Sequence, residues 1–298
     1  DPDIEMSDYL RNPELSNEEK QNLKEIAQDY TMRKSLNLTN VKIESKTANR
    51  KNPLSLSNFS TSVGYNEMSS RDISTQFDIR KTYSGSFLYN YNTRPRPYEP
   101  FKRTKSKLLR KKSMRIVRDF NVFYAPKMLS FRNDMNKQFQ AIQYRNIEDD
   151  KVAFPTTFKK DFSWNRTYDV KYDLTKAMKF DFSANNAARI DEPDGWVTRE
   201  EDDFYANRDS IWENVLNGGR NTNYNHKINA SWTVPINKIP MFNWVTLNTR
   251  YSGTYDWQAA QILADKDVDL GNIIKNTNSM QYNGQLNFRN LYNKVPYF

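Results

Sequence analysis

A strict two-residue alternation between Phe158 and Leu174 is the feature that most constrains the fold of this chain. From Phe162 onwards, large apolar side chains hold the even positions, interrupted by Arg166, and Asp, Ser, Asn, Thr and Lys hold the odd positions from Asp161 onwards. Successive side chains of a β-strand point to opposite faces. The pattern therefore predicts a long strand with one apolar and one polar face. The apolar members are Phe162, Trp164, Tyr168, Val170, Tyr172 and Leu174.

The same alternation resumes at 178–190, after a short polar turn. If the chain reverses at this turn, Tyr172 lies beside Phe180 and Val170 lies beside Phe182, so that the two apolar faces coincide. Matching faces fix the register of a hairpin, because a slip of one residue would turn every side chain to the wrong side. We therefore expect an antiparallel hairpin here.

Comparable alternation recurs along the rest of the chain, and we count about ten strands in all. Several are longer than the five or six residues of a typical strand. The other alternating segments centre on 59–65, 77–91, 120–122, 129–139, 224–234, 245–257 and 280–288. Their apolar positions include Ile228, Trp232, Val245, Leu247 and Tyr251.

Residues 1–33 differ from the remainder. Ser16 followed by Glu19 forms a capping box, in which each side chain accepts a backbone hydrogen bond at a helix start. Apolar residues then recur at helical spacing, which predicts a short amphipathic helix over roughly 16–32. The chain thus divides into a helical or extended acidic segment, 1–33, and a strand-rich segment, 34–298.

Composition restricts the kinds of environment in which these strands can lie. Hydrophobic residues make up only 37% of the chain, yet aromatic residues reach 14%. Aromatic rings are abundant where a side chain meets both an apolar medium and water. The mean hydropathy is -0.92, and no window approaches the roughly 18 to 20 apolar residues of a spanning helix. Cysteine is absent, which excludes disulfides and thiolate chemistry.

The predicted connections alternate in length. Short turns are expected near 68–71, 125–127, 175–177 and 235–241. Longer polar loops are expected at about 92–114, 145–157, 191–222 and 258–275. Short periplasmic turns at one end and long loops at the other are the layout of outer-membrane barrels. The expected layout therefore favours a membrane barrel.

Alternation alone leaves open a soluble β-sandwich, but strand length and loop layout favour a transmembrane wall. A spanning strand needs roughly 9 to 11 residues with an apolar outward face, and 160–174 and 178–190 provide them. Arg166 counts against this interpretation, because a charge in mid-bilayer costs about 2 to 4 kcal/mol. The predicted fold is all-β: a segment of an antiparallel transmembrane β-barrel with a short N-terminal helix.

Basic side chains concentrate in one predicted loop and account for much of the net charge of +9. Few aromatic residues interleave with them, so nucleic acid is a poorer match than anionic lipopolysaccharide or a partner protein. We expect no nucleic-acid partner. The basic residues are Lys102, Arg103, Lys105, Lys107, Arg110, Lys111 and Lys112.

The residues that carry chemistry elsewhere are sparse or badly spaced here. His226 is the only histidine, so a wall residue is favoured over a metal ligand. The acidic run 191–203 could attract Ca²⁺, but it lacks EF-hand spacing and is better read as a solvated loop. Neither a phosphate loop nor a nucleophile elbow is present. We expect no enzymatic activity and no cofactor or metal.

Seven stretches spread over nearly the whole chain carry a family resemblance. They are NVKIES (40–45), YNYNTRPRPYEPFK (89–102), DFNVFYAPKMLSFRNDMNKQFQAIQYRN (119–146), YDLTKAMKFDFSANNAARIDEP (172–193), VPINKIPMFNWV (234–245), YSGTYDWQA (251–259) and LYNKVPYF (291–298). Together they resemble the SprA/Sov family, the outer-membrane translocons of the type 9 secretion system in Bacteroidota. The order AARIDEP, PINKIP, TYDWQA makes the resemblance specific.

The resemblance implies a gated outer-membrane channel that exports folded cargo bearing C-terminal signals, in gliding motility and adhesin export. The partners it implies are the remainder of the same barrel chain, the PorV shuttle protein, a plug protein and the secreted cargo. About ten strands would be a minor arc of a 36-stranded barrel. With no targeting signal after Asp1, we expect a piece of a longer chain. The alternatives are another outer-membrane barrel, such as a porin or receptor-type transporter, and a soluble basic all-β binding module.

Overall fold

The protein is all-β, as the alternation predicts. A computed structural model describes residues 11, 13–43, 52–109, 111–146, 152–260 and 271–294. Within these residues nine strands form one antiparallel sheet, and each strand pairs with the next one along the chain. The strands are β1 (Tyr30–Val41), β2 (Phe59–Arg71), β3 (Thr75–Asn92), β4 (Met128–Tyr144), β5 (Thr157–Asp173), β6 (Met178–Arg189), β7 (Arg220–Val234), β8 (Val245–Gln258) and β9 (Ile273–Leu286).

The predicted hairpin register between β5 and β6 is confirmed. Tyr172 is opposite Phe180, and Val170 is opposite Phe182. The turn between the strands is closed by Thr175, whose Oγ1 accepts hydrogen bonds from the backbone N–H groups of residues 177 and 178. A short polar side chain at a turn therefore sets the register that aligns both apolar faces.

The N-terminal helix is confirmed, although it ends earlier than expected. Helix α1 (Asn17–Ala27) begins at Ser16, whose Oγ accepts from the Glu19 N–H while the Glu19 carboxylate accepts from the Ser16 N–H. Strand β1 then begins at Tyr30, so the two-residue period starts before residue 34. The other helices are α2 (Arg115–Arg118), α3 (Phe204–Leu216) and α4 (Phe288–Tyr292). None of the described helices is long and apolar enough to cross a lipid bilayer.

The strand expected at 120–122 does not form, and the short turn expected at 125–127 is not a separate turn. Only an isolated bridge between Tyr98 and Val122 occurs there. Two apolar positions are too few for a spanning strand, and the Phe123 N–H donates instead to the carbonyl of Leu174. The chain therefore leaves the sheet after β3 and returns at β4 through one connection, 93–127.

This connection changes which loops lie together, and the predicted segregation of short turns from long loops is wrong. We call one end of the sheet the basic end; its connections are 42–58, 93–127, 174–177 and 235–244. The opposite end carries 72–74, 145–156, 190–219 and 259–272. The longest connection thus shares an end with a four-residue turn, and the shortest connection shares an end with a 30-residue loop. Loop length gives no support for a membrane barrel.

The strands are staggered across the sheet. Leu36, in the middle of β1, is in register with Phe162 of β5, whereas Met280, in the middle of β9, is in register with Tyr172 of β5. The strand centres thus shift by ten residues of β5 over the eight steps from β1 to β9. With about 3.3 Å per residue and 4.8 Å between strands, the mean tilt is about 40°. Closed β-barrels have strand tilts of about 35 to 45°.

The sheet has almost no core of its own. The buried apolar residues among those that the structure describes are Tyr91, Ala141, Ala184, Ala188 and Ile190. The accessible surface is 22526 Å², whereas a compact monomer of this mass exposes about 13,000 Å². Both edges are open, because neither β1 nor β9 has an outer neighbour in the described sheet.

Candidate functional site

The candidate site is the sheet itself, whose two faces have opposite chemistry. The register places twelve of the thirteen predicted wall residues on one face, which we call the apolar face. The exception is Leu174, which lies in the turn after β5. The twelve are Phe162, Trp164, Tyr168, Val170, Tyr172, Phe180, Phe182, Ile228, Trp232, Val245, Leu247 and Tyr251.

The apolar face is uncovered over much of its area. Tyr168 is 38% exposed and Trp232 is 43% exposed, although both lie inside the sheet. Rings pair across neighbouring strands, as in Phe131 with Tyr168 at 5.0 Å between centroids. No described helix lies along this face as a second layer. A continuous exposed apolar surface of this kind marks contact with lipid or with another protein.

The other face, which we call the polar face, is built from charged and amide side chains that partner one another. Lys171 is opposite Asp181 and Asp173 is opposite Lys179 on the β5–β6 hairpin. An ion pair of 3.0 Å joins Arg189 and Asp161. Opposite charges that face each other across strands stabilise the pairing and leave little net charge at each point.

Asp78 is the most deeply buried acidic group of the polar face. Its carboxylate accepts from Arg80 Nη2 at 2.7 Å and from Gln140 Nε2 at 2.9 Å. A buried carboxylate is tolerated only when its oxygens are hydrogen-bonded, ideally to a cation. The strand pattern placed Asp78 on the hydrophilic side but did not single it out.

The side chain of Arg166, the charge that counted against a membrane-facing surface, extends away from the middle of β5. Its Nη2 donates to the Gly218 carbonyl at 3.0 Å and to Asn221 Oδ1 at 3.1 Å. Its guanidinium lies 4.7 Å from the ring of Trp164. The charge therefore reaches the beginning of β7, two strands away in the sheet. The long side chain places the cation at the border of the apolar face.

His226 is a wall residue in this structure. Its ring stacks on Tyr255 at 5.1 Å and 17°, and it lies 6.1 Å from Phe182. In the part of the chain that the structure describes, no group of His, Cys, Asp or Glu is placed to hold a metal ion. The acidic run instead pairs with cations, since Arg220 binds Asp191 at 2.9 Å.

The arginine beside Asp191 also lowers the pKa of that carboxyl below its usual value, with Arg220 Nε and Nη2 as the main cause. The same bidentate contact raises the pKa of Arg220. This pair joins the loop after β6 to the first residue of β7. The first residue of the acidic run is therefore ion-paired, but the prediction of a solvated loop is wrong for Glu192, whose side chain is only 3% exposed.

Residues 190–198, which we call the strap, fold back onto the apolar face near the opposite end. Trp196 contacts Phe139 and Phe158, with centroids 5.3 and 5.4 Å apart. The Glu192 carboxylate pairs with Lys137, and the Glu192 side chain is only 3% exposed. Sequence reasoning read the strap as part of a polar loop. An isolated Trp within an acidic loop was the signal that could have indicated a packed segment.

The basic segment, defined as residues 102–115, lies at the basic end beside short turns. We expected it among the long loops, and that placement is wrong because 93–127 does not cross the sheet. Lys102, 70% exposed in its side chain, pairs with Glu99 at 2.5 Å. Glu99 also pairs with Lys176 in the turn between β5 and β6. Arg110 lies outside the described residues; the other predicted members, Lys102, Arg103, Lys105, Lys107, Lys111 and Lys112, are half-buried or exposed.

Two ionic contacts attach the 93–127 connection to the turns beside it. Hydrogen bonds from Lys102 and Lys176 lower the pKa of Glu99 to about 2. Asp119 pairs with Lys238 at 3.4 Å in the turn before β8. Burial raises the pKa of Asp119, but Arg118 and Lys238 lower it by more, so that its pKa is below the usual value. The connection therefore spans two turns of the basic end.

The sheet as a whole separates two environments: an exposed apolar face on one side and a polar, charge-paired face on the other. Both edges remain available for pairing with further strands. No protein-family model matches this chain, and no curated protein matches it either.

Proposed function

We propose that this chain forms an arc of the wall of a gated outer-membrane β-barrel that exports folded proteins, as in the SprA/Sov family. One observation carries the proposal: a staggered sheet of long strands whose uncovered apolar face lies back to back with a polar face. A water-soluble sheet of this area would have to cover its apolar face. A barrel wall meets acyl chains on that face and water on the other.

Backbone pairing supports the same location. Inside hydrocarbon every backbone N–H and C=O must be paired, so strands cross only as parts of a closed barrel. Strands β2 to β8 have neighbours on both sides, whereas β1 and β9 have one each. Every residue of β9 is exposed. The main expected partner is therefore the remainder of the same barrel chain, whose strands would pair with both edges of the sheet.

The polar face supports passage of macromolecules. Asn, Ser and Thr alternate there with charges that are partnered across strands, such as Lys171 with Asp181. A lumen of this composition offers a translocating protein neither a large apolar patch nor a field of one sign. It would therefore bind passing surfaces weakly. The mechanism is gated passage without bond chemistry.

The SprA/Sov resemblance supplies the finer parts of the proposal. It implies that the cargo carries a C-terminal signal, that PorV receives the cargo, and that a plug protein closes the idle channel. It also places the barrel in the outer membrane of a Gram-negative bacterium of the Bacteroidota, in contact with lipopolysaccharide. A porin or receptor-type transporter would share the two-faced wall but would pass small solutes.

Photo-cross-linking from paired positions tests the proposal. A benzophenone amino acid replaces Asp169 on the polar face or its neighbour Tyr168, which is 38% exposed on the apolar face, in the full-length chain in live cells. We expect position 169 to cross-link to secreted polypeptides during export. Position 168 should cross-link to lipid.

The two positions differ only in the face they occupy, so each controls for the other. Cross-links to secreted proteins from position 168 but not from 169 would contradict the assigned faces. Conductance of small solutes with no cargo adduct at either position would support the porin alternative. Recovery of the full-length protein in the soluble fraction without detergent would support the soluble binding module.

A further inference from the structure

Three lysines interrupt the apolar face on neighbouring strands. Lys81 of β3 and Lys160 of β5 lie on either side of Phe139 of β4, because both are in register with it. Lys137 lies two residues before Phe139 on β4, where it is opposite Tyr83 of β3 and Phe162 of β5. All three ammonium groups therefore emerge on one face within three strands. We call this set, Lys81, Lys137 and Lys160, the lysine cradle.

The lysine cradle lies where an apolar stretch of spanning length ends. On β3, the residues of the apolar face run from Tyr91 back to Tyr83, over nine residues, and Lys81 comes next. On β5 the corresponding stretch between Tyr172 and Lys160 covers eleven residues, with Arg166 directed to its border. A spanning strand needs about 9 to 11 residues. The cradle is therefore at the level of lipid headgroups if the apolar face meets acyl chains.

The cradle already faces anionic groups from the chain itself, and one of them, Glu67 of β2, is directly opposite Lys81. The Glu192 carboxylate of the strap pairs with Lys137 through Oε1. Its second oxygen, Oε2, is buried and has no hydrogen-bond partner among the described residues. A buried charged oxygen without a partner is costly. The site thus accommodates an anion but does not satisfy this one.

Aromatic rings form the walls around the three ammonium groups. Lys137 Nζ lies 5.7 Å from the Phe162 ring centre, and Lys160 Nζ lies 5.9 Å from that of Phe139. Trp196 of the strap closes one side of the same pocket. Cations held against rings beside an apolar surface fit a ligand that is anionic at one end and apolar at the other.

We propose that the lysine cradle binds the headgroup phosphate of an anionic membrane lipid, with the acyl chains along the apolar face between β3 and β5. This inference rests on the proposed membrane location. The strap carboxylate occupies the cradle in the absence of lipid, and the phosphate takes its place. A phosphate presents three or more acceptor oxygens to three ammonium groups, whereas Glu192 engages only Lys137 directly.

Retention of lipid by the purified full-length protein tests the proposal. The protein is reconstituted in nanodiscs of phosphatidylcholine with a minor fraction of phosphatidylglycerol, then extracted, and bound lipids are counted by native mass spectrometry. Each cradle lysine changed to Gln should weaken retention of phosphatidylglycerol by about fivefold, the effect of one basic side chain near an anionic surface. Glu192→Gln should strengthen it, because the competing carboxylate is lost.

Lysines of the polar face provide the matched control. Lys159→Gln, Lys171→Gln and Lys179→Gln together remove three positive charges from β5 and the neighbouring β6, on the other face. They should leave lipid retention unchanged, whereas the triple cradle variant Lys81→Gln, Lys137→Gln and Lys160→Gln should lose it. Equal loss in both triple variants, or unchanged retention in the cradle variant, would overturn the inference. So would binding of inorganic phosphate alone as tight as that of the lipid.

Failure of this inference can be told apart from failure of the proposed function. If the full-length protein requires detergent for extraction but the triple cradle variant still retains phosphatidylglycerol, the membrane location is supported and lipid binding by the cradle is refuted. If the protein is soluble without detergent, the membrane location itself fails. The extraction is therefore done first on the unchanged protein.

Discussion

At the scale of single residues, Gly219 is the position with the least freedom. Its φ is +71°, a conformation that side chains with a Cβ rarely adopt. A Cβ there would lie 2.7 Å from Ile190 Cδ1 and 2.9 Å from the Arg189 carbonyl oxygen. Gly219 thus both ends α3 and lets the chain pass close to the end of β6.

Gly219→Ala should therefore loosen the 190–219 connection. Left-handed backbone at a residue with a Cβ costs about 1 to 2 kcal/mol, and contact with a backbone carbonyl adds to this. Gly195→Ala is the control, since Gly195 also has a positive φ, +78°, but its Cβ would meet open space. The rate of protease cleavage within 190–219 should rise more for position 219. Equal rates would contradict the close approach.

Protonation of Glu99 should release the 93–127 connection from the turn at 174–177. The folded-state pKa of about 2 is depressed from 4.5, so the contact contributes fully above pH 4.5 and is lost as the pH falls towards 2. Hydrogen exchange at the Lys176 amide, corrected for intrinsic rate, should accelerate across this window. Glu99→Gln should exchange fast at every pH. A Glu99→Gln protein with the unchanged pH profile would contradict the assignment.

At the scale of elements, alternation predicted strands well where it extended over many residues. The β5–β6 register followed from matching apolar positions, and twelve of the thirteen predicted wall residues share a face. Two apolar positions at 120–122 were too few to predict a strand. One predicted crossing too many reverses the end assigned to every later connection, and for that reason the basic segment was grouped with the wrong loops. The strap could not be predicted, since its packing depends on residues of β4 and β5 distant in sequence.

A cross-link across the basic end tests the corrected topology. The chain has no cysteine of its own, so Glu99→Cys with Lys176→Cys creates a single pair within it. A short bismaleimide should join this pair in the full-length protein. Glu99→Cys combined with Ser74→Cys, at the opposite end of the sheet, should not be joined. If the Glu99→Cys and Lys176→Cys pair is not joined, the topology with a crossing strand at 120–122 is supported instead.

At the scale of the whole molecule, the described residues form one open sheet with little core of its own. Its surface exceeds that of a compact monomer, few apolar side chains are buried, and both edges are open. A mean tilt of about 40° is what a wall needs if it is to close into a barrel with other strands. Sequence periodicity predicted the two faces but not the tilt, because tilt is a sum of small register shifts over eight pairings.

The most direct test places a spin label at single cysteines along 168–171 of the full-length protein in lipid. The account predicts that labels at Tyr168 and Val170 collide with oxygen dissolved in the bilayer, whereas labels at Asp169 and Lys171 collide with a water-soluble nickel complex. Accessibility should therefore alternate with a period of two. High nickel accessibility at all four positions, or burial of Val170 away from both reagents, would contradict a wall between lipid and water.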